Sequence, residues 1–389
     1  MEPWRSQHFR KFAIGKGTDP HVVNASVAVG RAIVTKSPNS PPIFSLKHLA
    51  YSAEVKYRVL REAVERKTPE RYRIFKIQKR TGSGSKTKRY RIICVPDPQL
   101  MKAQRWIAQN ILLHGRTHDA SAAYKRRSNI VDAASLHCGC KWLIKLDIVN
   151  FFESVTERSV YRVFHEMGYQ PLVSFELARV CTRKGDQTWV RNPYAPKWRT
   201  WHATYSEILS YAGAEMLGHL PQGAPTSPML ANLAMYDFDQ SVEEIAAEFG
   251  LTYTRYADDL TLSTASDNFS RAKAQEAISR IYRTIREFSF EPNFTKTQIV
   301  PPGARRVVLG LLVDGERPKL TKQFRDRLRL HLHHIGPNGA GAIKHAERNH
   351  FQSVFGLRNH IEGLISFAHS VDPVYARNAW EEFNKAEWP

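Results

Sequence analysis

Residues 253–263 constrain this chain more than any other stretch. Two short runs rich in β-formers, Tyr253-Thr254-Arg255-Tyr256 and Leu260-Thr261-Leu262-Ser263, flank the adjacent acids Asp258 and Asp259. The pattern predicts a tight β-hairpin with both carboxylates at its turn. Like charges so placed repel, and a divalent cation relieves the repulsion. An Asp-Asp pair alone is a weak signal, because a chain of 389 residues holds one by chance as a solvated turn. A metal-dependent site therefore needs further acids brought from elsewhere in the chain.

One such acid ends an apolar run of strand length, Trp142-Leu143-Ile144-Lys145-Leu146-Asp147-Ile148. A carboxylate at the end of a buried strand is unfavourable unless paired or metal-bound; a helix cap is the plain alternative for Asp147. Phe151 and Phe152 follow, opening a helical stretch to about Gly168. Beyond the hairpin come a helix over roughly 268–288, a segment holding Asn293, Lys296 and Thr297, and one predicted strand, Val307 to Val313.

The segments around these acids are basic. A formal net charge of +20 speaks of partners rather than fold, with nucleic acid the leading polyanion. Lys76, Lys79, Arg80, Lys86, Lys88, Arg89 and Arg91 fall within 76–91 without one acid. The runs 72–77 and 90–95 read as the strands of a β-hairpin whose charged arm can grip phosphates; a solvated basic loop is the alternative. Residues 183–219 mix Trp189, Tyr194, Trp198, Trp201 and Tyr205 with cations. That composition suits base stacking and equally suits a packed insertion.

Helical patterns fill much of the rest. Residues 1–43 show little periodicity, and the cluster 37–42 reads as a boundary. Residues 45–67 predict one or two amphipathic helices. Asp97-Pro98 predicts a capped helix with Leu100, Ala103, Ile107 and Ile111 inward. Asn129 to His137 predicts a further short helix. Leu220 to Pro228 is a tight loop, with Ser227 expected to cap a helix running to about Phe249. It presents Gln222 beside a helix start, a place for a nucleotide or template base unless it is an ordinary connector. The tail from Lys319 is helical, with Phe324, Leu328, Leu332 and Ile335 on one stripe and Lys322, Arg325 and Arg329 on another. The basic stripe suits a duplex backbone or a solvated face. The spacing of His331, His333 and His334 does not suit a helical chelate, so they are expected at the surface or on phosphates.

Several classes are excluded. No run of about 18 apolar residues predicts a membrane span. Met1 to Gly15 lacks the apolar core and cleavage site of a secretory signal. Cys94, Cys138, Cys140 and Cys181 lack zinc spacing and read as reduced thiols of a cytosolic protein.

Taken in order, the basic hairpin, Asp147 with Phe151-Phe152, Leu220-Pro221-Gln222-Gly223, Tyr256-Ala257-Asp258-Asp259, then Asn293 and Lys296 resemble a bacterial reverse transcriptase, most like the retron type. The resemblance covers roughly 45–315, more loosely the helices beyond. It implies an α+β right-hand polymerase: an N-terminal extension (1–43), fingers (44–130), a palm of antiparallel sheet packed by helices (131–313, with the insertion at about 183–219) and a helical thumb (314–389). It implies RNA-directed DNA polymerase activity through two Mg2+ ions, with Mn2+ as a substitute, held by Asp147, Asp258, Asp259 and the carbonyl of Ile148. Lys79 and Arg91 would bind the incoming dNTP triphosphate, and Phe152 would sit under its sugar and reject a 2′-hydroxyl. Gln222 would contact nucleotide or template, and Lys296 would protonate the departing pyrophosphate. Val307 to Val313 would be the strand pair that holds the primer end, and Lys322, Arg325 and Arg329 would meet nucleic acid.

Retron enzymes carry Asn-Ala-x-x-His before the first catalytic acid and Val-Thr-Gly after the palm. Here Ala133, Ala134 and His137 fill the first pattern without its asparagine, and Val308-Leu309-Gly310 the second without its threonine. The retron type implies a cognate structured non-coding RNA as template and primer, priming from a guanosine 2′-hydroxyl and a single-stranded DNA product in a branched hybrid. It also implies a separate effector protein, anti-phage defence and a bacterial cytoplasmic location. Other defence-associated or group II intron-like reverse transcriptases stay open, as does a non-catalytic RNA-binding scaffold, which the three acids disfavour. Phe152 disfavours an RNA-dependent RNA polymerase. No maturase-like or endonuclease extension follows the thumb, so a self-sufficient mobile-intron protein is not expected.

Overall fold

The computed structural model describes residues 4–67, 70–78, 90–125, 128–184 and 217–389. Lys79 and the aromatics of the 185–216 stretch lie outside the described residues. The helices are α1 (Ser6–Gly15), α2 (Pro20–Lys36), α3 (Leu46–Ser52), α4 (Tyr57–Val64), α5 (Pro98–Asn110), α6 (Ile130–Ser135), α7 (Phe151–Ser154), α8 (Glu157–Glu166), α9 (Pro171–Cys181), α10 (Ser227–Ala234), α11 (Tyr236–Glu248), α12 (Arg271–Glu287), α13 (Lys322–Ile335), α14 (Ala342–Arg348), α15 (Val354–Val371) and α16 (Pro373–Asn384). The strands are β1 (Tyr72–Gln78), β2 (Tyr90–Pro96), β3 (Trp142–Asp147), β4 (Thr252–Tyr256), β5 (Asp259–Thr264), β6 (Gln298–Val300), β7 (Val307–Val308), β8 (Leu311–Leu312) and β9 (Lys319–Leu320).

One antiparallel sheet, ordered β4-β5-β3-β6, organises the molecule. Side chains alternate between faces along a strand. Ile144, Leu146, Leu260 and Leu262 enter one core with Leu100, Ile107, Phe164, Leu177, Phe238 and Ile281. Leu143, on the other face, joins a second core with Val308, Leu328, Leu357 and Ile361. Asp147 shares the face of Leu143 and lies beyond the reach of that core. The sheet thus has helices behind it, a helical subdomain across part of its front, and the remaining front free for a site.

Local chemistry sets the element ends. The Asp97 carboxylate accepts from Leu100 N at 2.8 Å and starts α5, as the sequence predicts. β1 and β2 pair from Tyr72↔Pro96 to Gln78↔Tyr90, the predicted hairpin.

Three expectations need correction. The weakly periodic N-terminus forms α1 and α2, with Asp19 accepting from His21 N at 2.7 Å ahead of Pro20. Ser227 caps nothing; its Oγ donates to Pro221 O at 2.7 Å and closes the loop on itself. The helix that follows divides at Met235 into α10 and α11, although no Pro or Gly stands nearby, so tertiary packing decides the break. Val307 to Val313, a single strand by its apolar run and a strand pair by the family resemblance, is the pair β7–β8, because Leu309 (φ +49°) and Gly310 (φ +83°) form the left-handed pair of a primed turn.

His331 also departs from expectation: it is buried, with Nδ1 2.9 Å from His345 Nε2. Burial and the neighbouring His345, His360, Arg327 and His334 push it down to about 4. All four cysteines are free thiols. No helix among the described residues is long and apolar enough to cross a membrane.

Candidate active site

The hairpin of β4 and β5 closes through a two-residue turn, Ala257-Asp258, with Tyr256 paired to Asp259. Ala257 takes φ +56°, the left-handed conformation that such a turn asks of its first residue and that alanine adopts only under constraint. Asp258 stands at the tip and Asp259 begins β5. Asp147, at the end of β3, pairs in register with Asp259, so the two project from one face. Ile148 N donates to Asp258 O at 3.1 Å and ties the two ends together. Asp147 is 4% exposed.

The three carboxylates feel one another. The carboxyl of Asp258 is raised by burial first and by Asp147 second, against the opposing fields of Lys296 and Arg91. Asp259 stands at the solvent edge, yet crowding by protein, then Asp258 and Asp147, pushes it up to about 6. Asp147 already holds a cation: Lys296 Nζ donates to its Oδ2 at 2.5 Å and Asn293 Nδ2 to its Oδ1 at 2.7 Å. The Asn293 main chain also donates to Asp147 O at 2.8 Å, which seats the turn Phe294–Lys296 beside the acid. Among the described residues no three Asp, Glu, His or Cys side chains are gathered as a complete chelate by themselves. The donor chemistry nevertheless fits a divalent cation: Asp258 and Asp259, whose ionisation is opposed by burial and like charge, stand beside Asp147, already paired with an ammonium.

The walls come from the neighbouring elements. Phe152 is half-buried, with its ring 5.5 Å from Phe151 and 6.3 Å from Tyr124. Tyr124 lies 6.0 Å from Tyr256 and has φ +59°; burial, Tyr256 and Asp258 raise its hydroxyl. Arg91 is exposed on β2, and its charge reaches Asp258 and Tyr124. The Gln222 loop docks on the same strand, since Cys94 N donates to Gln222 O at 2.7 Å. His137 is fully buried against β4 and β5, Nδ1 2.7 Å from Ser263 Oγ and Nε2 2.7 Å from Thr254 Oγ1. Burial pushes it down to about 4, so it is a neutral clasp across β4 and β5.

Asp147, the Ile148 main chain, Asp258, Asp259 and Lys296 therefore meet at one end of the sheet, with Arg91 and Phe152 near it, while Gln222 is placed by its bond to β2. Lys322, Arg325 and Arg329 lie on α13, whose Leu328, Leu332 and Ile335 belong to the second core. Arg325 there turns partly inward, to Asp372 at 3.5 Å and over the Tyr375 ring at 5.4 Å, while Lys322 and Arg329 stay exposed. Sequence reasoning missed Tyr124, which carries no local mark, and the grip of Asn293 on Asp147, which needs the fold to appear.

A sheet with three acids at one end, a basic hairpin above and a helical subdomain across the front describes a nucleotide polymerase. The reverse transcriptase (RNA-dependent DNA polymerase) family profile matches residues 77–313, and the chain belongs to that family. It is an RNA-directed DNA polymerase with a right-hand α+β fold, of an activity that requires a divalent metal. Within the family it is similar to bacterial retron reverse transcriptases. It is 29% identical to the Retron Ec86 reverse transcriptase of Escherichia coli over 88% of this chain and 85% of that protein. It is 28% identical to the Retron Ec83 reverse transcriptase of Escherichia coli over 81% and 88%. The Retron Mx162 reverse transcriptase of Myxococcus xanthus matches at 27% over 80% of this chain and 60% of that one.

Proposed function

We propose that the chain copies a cognate structured non-coding RNA into single-stranded DNA, priming from a 2′-hydroxyl of that RNA, by two-metal nucleotidyl transfer. The observation that carries the chemistry is the convergence of Asp147, Asp258 and Asp259, with Lys296 on Asp147 and the charge of Arg91 reaching Asp258. The likeness to retron enzymes supports the choice of template.

Asp147, Asp258, Asp259 and the Ile148 carbonyl would hold two Mg2+ ions, with Mn2+ able to replace them. Bound there, the ions lower the pKa of the attacking hydroxyl and offset charge on the triphosphate. Mg2+ is usually held by one or two carboxylates together with substrate phosphates, which agrees with side chains that do not close a chelate alone. Arg91, with Lys79, binds the triphosphate of the incoming dNTP. Phe152 packs under the deoxyribose and excludes a 2′-hydroxyl. Gln222 orients nucleotide or template from its dock on β2. The primer hydroxyl gives its proton to water, and its oxygen bonds to the α-phosphorus as the bond to pyrophosphate breaks. Lys296 turns from Asp147 and gives a proton from Nζ to the departing oxygen.

The branched product, in this reading, serves a separate effector protein in anti-phage defence in the bacterial cytoplasm. Two experiments test the proposal. Incorporation of dNTPs on primed RNA should vanish in Asp258→Asn/Asp259→Asn and in Asp147→Asn; undiminished synthesis rejects the metal-site assignment. Sequencing the nucleic acid that co-purifies should return a branched RNA–DNA species; random or absent nucleic acid rejects the retron template and favours another defence class.

A further inference from the structure

Beneath the catalytic turn lies Arg255, the bulkiest of the fully buried side chains among the described residues. Its Nε and Nη2 donate to Asp239 Oδ1 and Oδ2 at 2.7 and 2.6 Å. Its Nη1 donates to the Ala257 carbonyl at 3.1 Å and to Asn232 Oδ1 at 3.3 Å. The Asn232 amide in turn donates to the Ala123 carbonyl, one residue before Tyr124. The guanidinium carbon lies 5.8 Å from the Phe151 ring, just after the Asp147 strand. In the main chain, Arg255 N donates to Ala120 O and Ala122 N to Arg255 O, both at 2.8 Å.

Asp239 and Arg255 are both 0% exposed. A buried ion pair contributes little net stability compared with apolar residues of the same volume. Its distinctive property is directional: the planar fork fixes several acceptors at once, as an ammonium does not. One of those acceptors is the carbonyl of Ala257, the residue held at φ +56° immediately before Asp258. A left-handed alanine persists only where its surroundings over-determine it. The donor from Arg255 is such a constraint, and the same group also reaches the segments that carry Phe151 and Tyr124.

We propose that Arg255, oriented by Asp239, is a positioning residue for polymerisation: it clamps the Ala257 carbonyl and thereby aims Asp258. This rests on the reading that Asp258 takes part in the chemistry. The test uses the full chain, a primed homopolymer RNA and the matching dNTP. Arg255→Lys keeps a charge opposite Asp239 but loses the fork. Arg255→Met/Asp239→Leu removes the pair while filling its space. A folded variant with Tm close to that of the native chain should lose roughly a hundredfold in kcat, the scale of an ångström-sized misplacement. KM for the dNTP and Kd for the primer–template should change by less than about threefold. A folded variant with undiminished kcat overturns the proposal. So does a kcat that falls only in step with Tm, or unfolding of both variants, since either outcome assigns the pair to stability. Asp258→Asn measured in parallel separates the two claims. Activity retained there removes the catalytic reading itself; activity lost there but kept in the Arg255 variants removes only the clamp.

Discussion

Replacing Gly223 by alanine should impair nucleotide use without unfolding the protein. Gly223 has φ +112°, a conformation open to glycine and strained for any other residue. An added Cβ would lie 2.9 Å from Ile93 Cγ2 and 3.2 Å from the Cys94 carbonyl oxygen. Keeping the loop in place then costs about 1–3 kcal/mol in backbone strain. The escape route is a shift away from β2, which breaks the 2.7 Å bond from Cys94 N to Gln222 O, worth about 1 kcal/mol. Either way the docked arrangement of Gln222 is disfavoured by about 1–3 kcal/mol, or about 5- to 150-fold in kcat/KM for the dNTP. Because the loop moves locally, Tm should fall by only a few degrees. Steady-state incorporation on primed RNA, read beside thermal unfolding, measures both. Adding Ile93→Ala removes the side-chain contact but not the φ strain, so it should restore kcat/KM in part. A Gly223→Ala enzyme within about twofold of native kcat/KM, or complete rescue by Ile93→Ala, would refute the reasoning.

Other outcomes follow from the same geometry. Phe152→Ala should admit ribonucleotides, seen as a lower ratio of kcat/KM for dNTP over NTP; an unchanged ratio removes its role as gate. His137 is held down to about 4 against 6.5 in an open chain, so the unfolded chain takes up the proton first as pH falls. Its stabilising contribution is complete above about pH 6.5 and is lost toward pH 4, by up to about 3 kcal/mol. Denaturant titrations at several pH values should show a shallower decline in His137→Gln; because His331 titrates in the same window, the difference from the native chain is the readout, and identical slopes would count against the clasp. Lys322→Ala/Arg329→Ala should lower the slope of log K against log salt for RNA binding by about 1.4–1.8 if each meets one phosphate, whereas Arg325→Ala should chiefly lower Tm. An unaltered salt slope takes α13 out of the RNA interface.

Much of the architecture was legible because it rests on local chemistry. The β4–β5 hairpin, the β1–β2 hairpin and the start of α5 each follow from side-chain alternation, from a turn between β-formers or from an Asp-Pro cap. The same cap at Asp19-Pro20, with Val23, Val27, Gly30 and Ile33 inward, marked α2, although the surrounding composition hid it. The break at Met235 was not legible, since no breaker residue announces the end of α10. The apolar run 307–313 reads alike as one strand or a hairpin, and only the family resemblance implied the strand pair that turns at Leu309-Gly310.

The amino-acid sequence by itself determined which chemistry is available: acids on two separate strands, an arginine on a basic hairpin, a lysine after the sheet, and their order along the chain. Those are properties of residue type and local spacing, and local forces suffice to express them. Only the tertiary structure decided how the acids are held. Asp147 meets Asn293 and Lys296 through hydrogen bonds that span nearly 150 residues of chain. His137 and Arg255 brace the hairpin from opposite faces because the alternation of β4 sends Thr254 one way and Arg255 the other. The raised carboxyls of Asp258 and Asp259 likewise exist only once burial and proximity are in place, since an open chain solvates each acid separately.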